Sequence, residues 1–118
     1  MTTSTQKGSI AEAVIAAEAA KAGITVLRPL VEGGRYDLAF DVGGRFFRVQ
    51  CKTARRSGDV LIVPTRTCRS TPRGYVRTTY SAAEIDAIAA YCAELNRCYL
   101  MTIEEVGGRA NVYLRLNP

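Results

Sequence analysis

Apolar and polar positions alternate most regularly between Arg35 and Thr53, in two runs that flank Gly43-Gly44. Alternating runs on either side of a two-glycine step predict a β-hairpin. With those glycines as the loop, Val42 pairs with Arg45 and paired positions sum to 87, so Leu38 faces Val49 and Phe40 faces Phe47. Tyr36, Leu38, Phe40, Val42, Phe47, Val49 and Cys51 then form one nearly unbroken apolar face. Asp37, Ala39, Asp41, Phe46, Arg48, Gln50 and Lys52 form the other, which is expected to turn to solvent. A one-residue slip would carry one strand's apolar side chains to the polar face, so the register is well specified.

The remaining pattern predicts a helix over Ser9–Ala22 with Gly23 at its C-cap. Ile10, Val14 and Ala17 share one of its faces and Ile15, Ala16 and Ala19 another, which suggests packing on more than one side. Ile24–Leu27 reads as a short strand ending at Pro29, and Asp59–Thr65 as a further strand. Thr65–Thr79 reads as a basic loop with a strand near Tyr75–Arg77. Ser81-Ala-Ala-Glu84 has the form of a capping box and predicts a second helix with the stripe Ile85, Ile88, Cys92 and Leu95. Cys98–Ile103 and Asn111–Leu116 read as strands around a turn at Gly107-Gly108. The order is helix, a run of strands, helix, two strands: an α/β chain read as one domain over residues 1–118.

Composition narrows the chemistry. At 47% hydrophobic and 23% charged residues, the 118-residue chain is expected to fold. It has no run of 18 apolar residues to span a membrane, and Met1–Lys7 lacks a signal-peptide core, so the expected location is the cytoplasm. The chain has no histidine, which excludes imidazole bases and histidine-held metals. Cys51, Cys68, Cys92 and Cys98 form no CxxC pair, which argues against zinc, and Cys92 and Cys98 are expected in the core. Catalysis is left to carboxylates, lysines or a metal held by oxygen.

Charge is uneven. Between Gly44 and Ala83 stand Arg45, Arg48, Lys52, Arg55, Arg56, Arg66, Arg69, Arg73 and Arg77 against one acid, Asp59, so this stretch exceeds the whole chain's net +5. Such a concentration fits a polyanion partner, nucleic acid above all, and fits equally a solvated basic surface.

On the polar hairpin face, Asp37 falls opposite Gln50 and Lys52 lies two residues on, within about 5–7 Å. The carboxylate and amide oxygens are hard ligands suited to Mg2+. The ammonium group suits orienting a water or stabilising charge on a phosphate. Taken by themselves, the same three residues also describe an ordinary exposed sheet face.

Tyr36-Asp37 followed on the partner strand by Gln50-Cys51-Lys52 resembles the signature of the PD-(D/E)XK nuclease superfamily. Lys7-Gly8-Ser9-Ile10-Ala11-Glu12 is similar to the helix-borne glutamate that often precedes it, and the order α-β-β-β-α-β to the restriction-endonuclease-like core, a central mixed sheet flanked by helices. Across nearly the whole chain, including Tyr80 to Tyr91 and the strand at Tyr99, the pattern most resembles small group I intron-encoded homing endonucleases, relatives of Holliday junction resolvases. The resemblance implies Asp37 as central metal ligand, Gln50 ligating through its side-chain oxygen and the Cys51 backbone carbonyl adding another. It implies Glu12 reaching the site directly or through water, Lys52 as the catalytic lysine, and Mg2+, with Mn2+ as substitute. Gln50 departs from the acid usual there, giving an oxygen without the charge. Arg55 and Arg56, together with Arg66, Arg69, Arg73 and Arg77, are the expected contacts to double-stranded DNA. A chain this small is expected to act as a homodimer or homotetramer. Two other readings remain: a resolvase-like nuclease selective for branched DNA, and a catalytically degenerate DNA-binding or interaction module.

Overall fold

The computed structural model describes residues 2–31, 34–71, 74–80 and 82–116, and for 66–71 and 74–79 the backbone alone. In chain order the described elements are α1 (Ser4–Lys21), β1 (Thr25–Leu27), β2 (Leu38–Val42), β3 (Arg45–Thr53), β4 (Arg55–Ser57) and β5 (Val60–Pro64). They continue with β6 (Arg66–Thr71), β7 (Gly74–Thr79), β8 (Ala87–Cys92), β9 (Arg97–Thr102), α2 (Ile103–Val106) and β10 (Asn111–Arg115).

The β2–β3 hairpin has the expected register, with Leu38 opposite Val49, Phe40 opposite Phe47 and Val42 opposite Arg45. Its loop needs glycine twice, since Gly43 and Gly44 adopt φ of +61° and +84°. Asp41 Oδ1 secures the turn by accepting the Gly44 N–H at 3.0 Å. β3 outruns its partner, and its second half pairs in parallel with β8, Gln50 beside Ile88 and Lys52 beside Ala90. The resulting five-stranded mixed sheet has the order β1-β2-β3-β8-β9.

Two cores lie on its two faces. On one, α1 buries Ala11, Ile15 and Ala19, a single i, i+4, i+8 stripe. Ile15 and Ala19 cluster with Leu38, Phe40, Val49, Ala87 and Ala89. Burying side chains the size of Leu38 and Val49 stabilises the fold by about 1.5–3 kcal/mol each. On the other face Ile88, Ala90, Cys92 and Met101 meet Leu61, Val63 and Val112, which come from the second sheet, β10-β5-β4.

Several expectations are corrected. The helix begins at Ser4 rather than Ser9, because Thr3 accepts the Gln6 N–H and Gln6 returns the bond to Thr3, a reciprocal cap five residues upstream. It buries one stripe rather than several sides, and Ala17 is exposed. The polar face of β3 does not turn wholly to solvent, since the second sheet covers the adjoining strand. Tyr36 leaves the apolar face assigned to it and packs against the core on the second-sheet side. In place of a basic loop, Arg66–Thr71 and Gly74–Thr79 are paired antiparallel strands, Arg66 opposite Thr79, and the second includes the strand expected near Tyr75–Arg77.

The largest correction concerns residues 82–95, expected as a second helix and found as a turn leading into the central strand β8. Arg48 explains why. Its Nη2 donates to the Ala82 carbonyl at 2.9 Å and its Nη1 to the Ala83 carbonyl at 2.8 Å, the acceptors a helical turn would have needed. The Asp86 N–H donates to the Arg48 carbonyl at 2.9 Å instead of to Ala82. Among the described residues, no helix is long and apolar enough to cross a membrane.

Candidate active site

The hairpin ladder stops at Leu38, and this end places the acid. The Asp37 N–H donates to the Val49 carbonyl at 2.9 Å, one residue short of the opposite position, so the chain turns out of β2 here. The turn swings the carboxylate over β3, where Asp37 Oδ2 accepts the Cys51 N–H at 2.9 Å. Burial raises the Asp37 pKa above the usual carboxylate range, while the Cys51 N–H and the Lys52 charge pull it back down. Asp37 and Lys52 therefore sit in one another's field.

Gln50 is two residues before Lys52 on β3, hence on the same face of the strand. Its Oε1 is buried and has no hydrogen-bond partner among the described residues. A buried amide oxygen without a donor is costly, on the order of 1–3 kcal/mol, and marks a position where an electron-pair acceptor is wanted. Lys52 holds its ammonium 5.1 Å from the centre of the buried Tyr80 ring, and the Arg35 guanidinium approaches the same ring at 4.4 Å. Arg35 also forms an ion pair with Glu84. Tyr80 thus serves as the shelf on which the candidate lysine rests. Sequence reasoning gave Tyr80, Arg35 and Glu84 no place at the site, and no local signal links a tyrosine to a lysine 28 positions earlier.

Glu12 comes from α1, one position past the buried Ala11, and its partner is Arg28, at 3.3 Å, from the loop after β1. Glu12 and Asp37 line the same open cleft of about 610 Å³, with Leu30, Val31 and Tyr36 on its walls. The Cys51 thiol feels both carboxylates: burial chiefly, then Asp37 and Glu12, push its pKa up, which leaves it a protonated, unreactive thiol. Burial likewise raises the Cys98 pKa, and Cys92 is buried in the core.

Of the four predicted site residues, Glu12 and Asp37 share one cleft, Lys52 acts on Asp37 through its charge, and Gln50 lies on the same face of β3 as Lys52, with the Cys51 N–H bonded to Asp37. Among the described residues no three of His, Cys, Asp and Glu group to hold a metal. Two carboxylates, one donor-free amide oxygen and a backbone carbonyl nonetheless form an all-oxygen set of the kind that hard divalent cations prefer, so the residues fit such an ion.

The basic residues divide. Arg48 is committed to the fold, bound to Asp86 and to two turn carbonyls, and Arg45 lies over the Phe47 ring at 5.1 Å. Arg55 and Arg56 are exposed on β4, where Arg56 Nε donates to the Gly58 carbonyl at 2.7 Å. The side chains of Arg66, Arg69 and Arg77, and the whole of Arg73, lie outside the described residues.

Comparison with known proteins bears on the family and the fold. Residues 2–118 match the model of a family described as PD-(D/E)XK endonuclease. The structure is similar to that of a bacterial homing endonuclease, I-Ssp6803I, with a TM-score of 0.81 and 31% identity, over 95% of this chain and 78% of the other. No curated protein gives a significant match. The family match spans the whole described chain, and the fold likeness holds at an identity where sequence and structure agree. The chain belongs to the PD-(D/E)XK endonuclease family.

Proposed function

We propose that the protein is a divalent-metal-dependent endonuclease that hydrolyses phosphodiester bonds of double-stranded DNA in the manner of a homing endonuclease. The observation that carries this reading is the Asp37–Gln50–Lys52 group: a half-buried carboxylate bonded to the Cys51 N–H of β3, and on β3 itself a buried amide oxygen with no donor among the described residues and a shelved ammonium. Asp37 and Gln50, with the Cys51 carbonyl and Glu12 directly or through water, would hold Mg2+, which Mn2+ can replace. When bound, the ion would supply Lewis acidity toward the phosphate and its attacking water.

The chain's own groups do the remainder. Lys52, kept in place by the Tyr80 ring, puts a fixed positive charge where negative charge grows on the phosphate, and its N–H groups can orient a water. Asp37 accepts the Cys51 N–H through Oδ2, which fixes its rotamer and leaves Oδ1 for the site. Gln50 gives an oxygen without a negative charge, so affinity for the ion is lower than with a glutamate. The Arg28 contact draws Glu12 partly aside, in keeping with an outer role. Arg55 and Arg56, one strand on from Lys52, neutralise backbone phosphates, as do Arg66, Arg69, Arg73 and Arg77. A homodimer or homotetramer supplies one site per DNA strand, acting in the cytoplasm.

The experiment is cleavage of plasmid and of four-way junction DNA with Mg2+, Mn2+ or EDTA. Metal-dependent nicking of linear or plasmid duplex supports the reading. Cutting confined to junctions makes the protein a resolvase, and binding without cutting under any divalent ion makes it a degenerate module.

A further inference from the structure

The lysine of the Lys7-Gly8 pair has no role at the Asp37 cleft, and the structure places it elsewhere. Lys7, Arg55 and Arg56 line a separate crevice of about 380 Å³, together with Thr53, Tyr91 and Glu94. The crevice opens where β3 and β8 end side by side at Thr53 and Tyr91, and the Ala54 N–H bonded to the Tyr91 carbonyl at 2.9 Å closes their ends. Crevices outside the carboxyl ends of parallel strands are the common location of ligand sites in α/β sheets.

Its charge is out of balance. Three cations from two separate segments, α1 and β4, face one carboxylate, Glu94. Among the described residues, none of these four side chains is in an ion pair, whereas Lys21, Arg28, Arg35 and Arg48 each have an acid. Lys7 also stands just behind the first turn of α1, which carries no acid, so its charge adds to the positive end of the helix rather than offsetting it. That placement is unfavourable for the helix and favourable for an anion. Thr53, which lines the crevice, follows Lys52 directly in β3, so the crevice adjoins the candidate lysine along the strand.

We propose that this crevice is a second phosphate subsite, which takes a backbone phosphate of the DNA strand held at the Asp37 cleft, with Lys7 as the cation that completes it. The inference takes its ligand from the nuclease reading above. Its test is binding of full-length protein to a duplex oligonucleotide in EDTA, so that cleavage plays no part. One phosphate contact contributes about 0.9 to the magnitude of the log-log salt slope. Lys7→Ala is expected to lower that magnitude by about 0.9, and Glu94→Gln to tighten binding by removing the one opposing charge. Lys21→Ala, at the far end of the same helix, is expected to leave the slope as it is. In steady-state cleavage Lys7→Ala raises KM and leaves kcat unchanged. A Lys7→Ala slope equal to that of the wild type, or a Glu94→Gln variant that binds no better, overturns the subsite while leaving the nuclease reading untouched. Wild type that binds DNA with the expected slopes and cuts none with any metal sinks the nuclease reading and keeps the subsite.

Discussion

Asp37 and Asp86 are anchored to the same strand by the same kind of bond. Each carboxylate accepts a β3 backbone N–H through Oδ2: from Cys51 at 2.9 Å for Asp37, from Arg48 at 2.8 Å for Asp86. They differ in their second partner. Asp86 also takes the Arg48 guanidinium, Nε at 3.1 Å and Nη2 at 3.3 Å, and this bond with the backbone contact holds its pKa below the usual carboxylate range. Asp37 has no arginine on it among the described residues; burial dominates and moves its pKa the other way. Asp86 is a satisfied charge and acts as a strut, binding the 82–86 turn to the start of the parallel pairing. Asp37 is a charge whose burial outweighs its compensation by the Cys51 N–H and Lys52, and the Gln50 oxygen on β3 has no partner among the described residues. A desolvated carboxylate that retains demand for positive charge is what a cation site looks like before the cation binds.

The widest separation between the two comes from truncating each. Asp37→Ala is expected to abolish DNA cleavage, because the oxygens that remain carry too little charge to hold the ion, while the protein stays folded. Asp86→Ala is expected to keep measurable cleavage and to lose about 1–2 kcal/mol of stability, since it leaves the Arg48 N–H and guanidinium without their acceptor. About a third of each of these side chains is exposed, which keeps the loss at the lower end. Plasmid nicking and urea denaturation read the two effects separately. Asp37→Ala protein that folds and cuts like wild type removes Asp37 from the site.

Lys52 sharpens the contrast from the cation side. Lys52→Ala is expected to lower turnover by roughly 10²–10³-fold, the usual cost of one preorganised charge donor, with metal and DNA binding nearly unchanged. Tyr80→Leu, which removes the shelf but keeps the lysine, is expected to lower kcat by less than Lys52→Ala and to leave KM near its wild-type value. Because Tyr80 is also core, Tyr80→Phe provides the check: it keeps the ring face and is expected to restore kcat. Smaller still is Gln50→Glu, where an added negative ligand is expected to tighten divalent-ion binding, as isothermal titration would measure directly.

The same two regions differ in how far the sequence reveals them. Around Asp37 nearly everything is local. Alternation and a glycine pair set the β2–β3 register, which puts Gln50 and Lys52 on one face of β3 and brings the chain to Asp37 at the end of the ladder. The ladder break at Asp37, which turns the carboxylate onto the Cys51 N–H and sends Tyr36 to the opposite core, has no counterpart in the alternation. Around Asp86 the sequence points the wrong way. β8 is a central strand buried on both faces, so Ala87-Ile88-Ala89-Ala90 shows no period of two, and Ile85, Ile88, Cys92 and Leu95 mimic a helical stripe. What decides against the helix is Arg48, 34 positions before the carbonyl it captures at Ala82. Lys52 and Tyr80 are similarly distant in sequence. Contacts formed by folding between remote segments leave no trace in local periodicity.

The smallest effect is a difference of sign in the pH dependence of stability, measured without metal. Asp86 has a folded-state pKa below 3.8, so it contributes stability above that pH and loses it as pH falls through its folded value. Asp37 has a folded-state pKa above 3.8, so the folded protein holds that proton more tightly than the unfolded chain does. Its contribution is most favourable below 3.8 and declines as pH rises through its folded value. Relative to wild type, Asp86→Asn is therefore expected to lose ground as pH rises toward 3.8 and then level off. Asp37→Asn is expected to gain ground as pH rises from 3.8 upward, provided Asn keeps the bond to the Cys51 N–H. Urea midpoints of the three proteins between about pH 3 and 6, a window that brackets the ordinary carboxylate pKa, give the two slopes. Saturating Mg2+ should then reverse only the Asp37 comparison, because a ligand that binds the folded wild type stabilises it by mass action and a variant lacking the central carboxylate gains nothing. Slopes of the same sign for both variants, or an Asp37→Asn advantage that survives Mg2+, would mean that Asp37 is a second strut and that the contrast between the two aspartates is only one of burial.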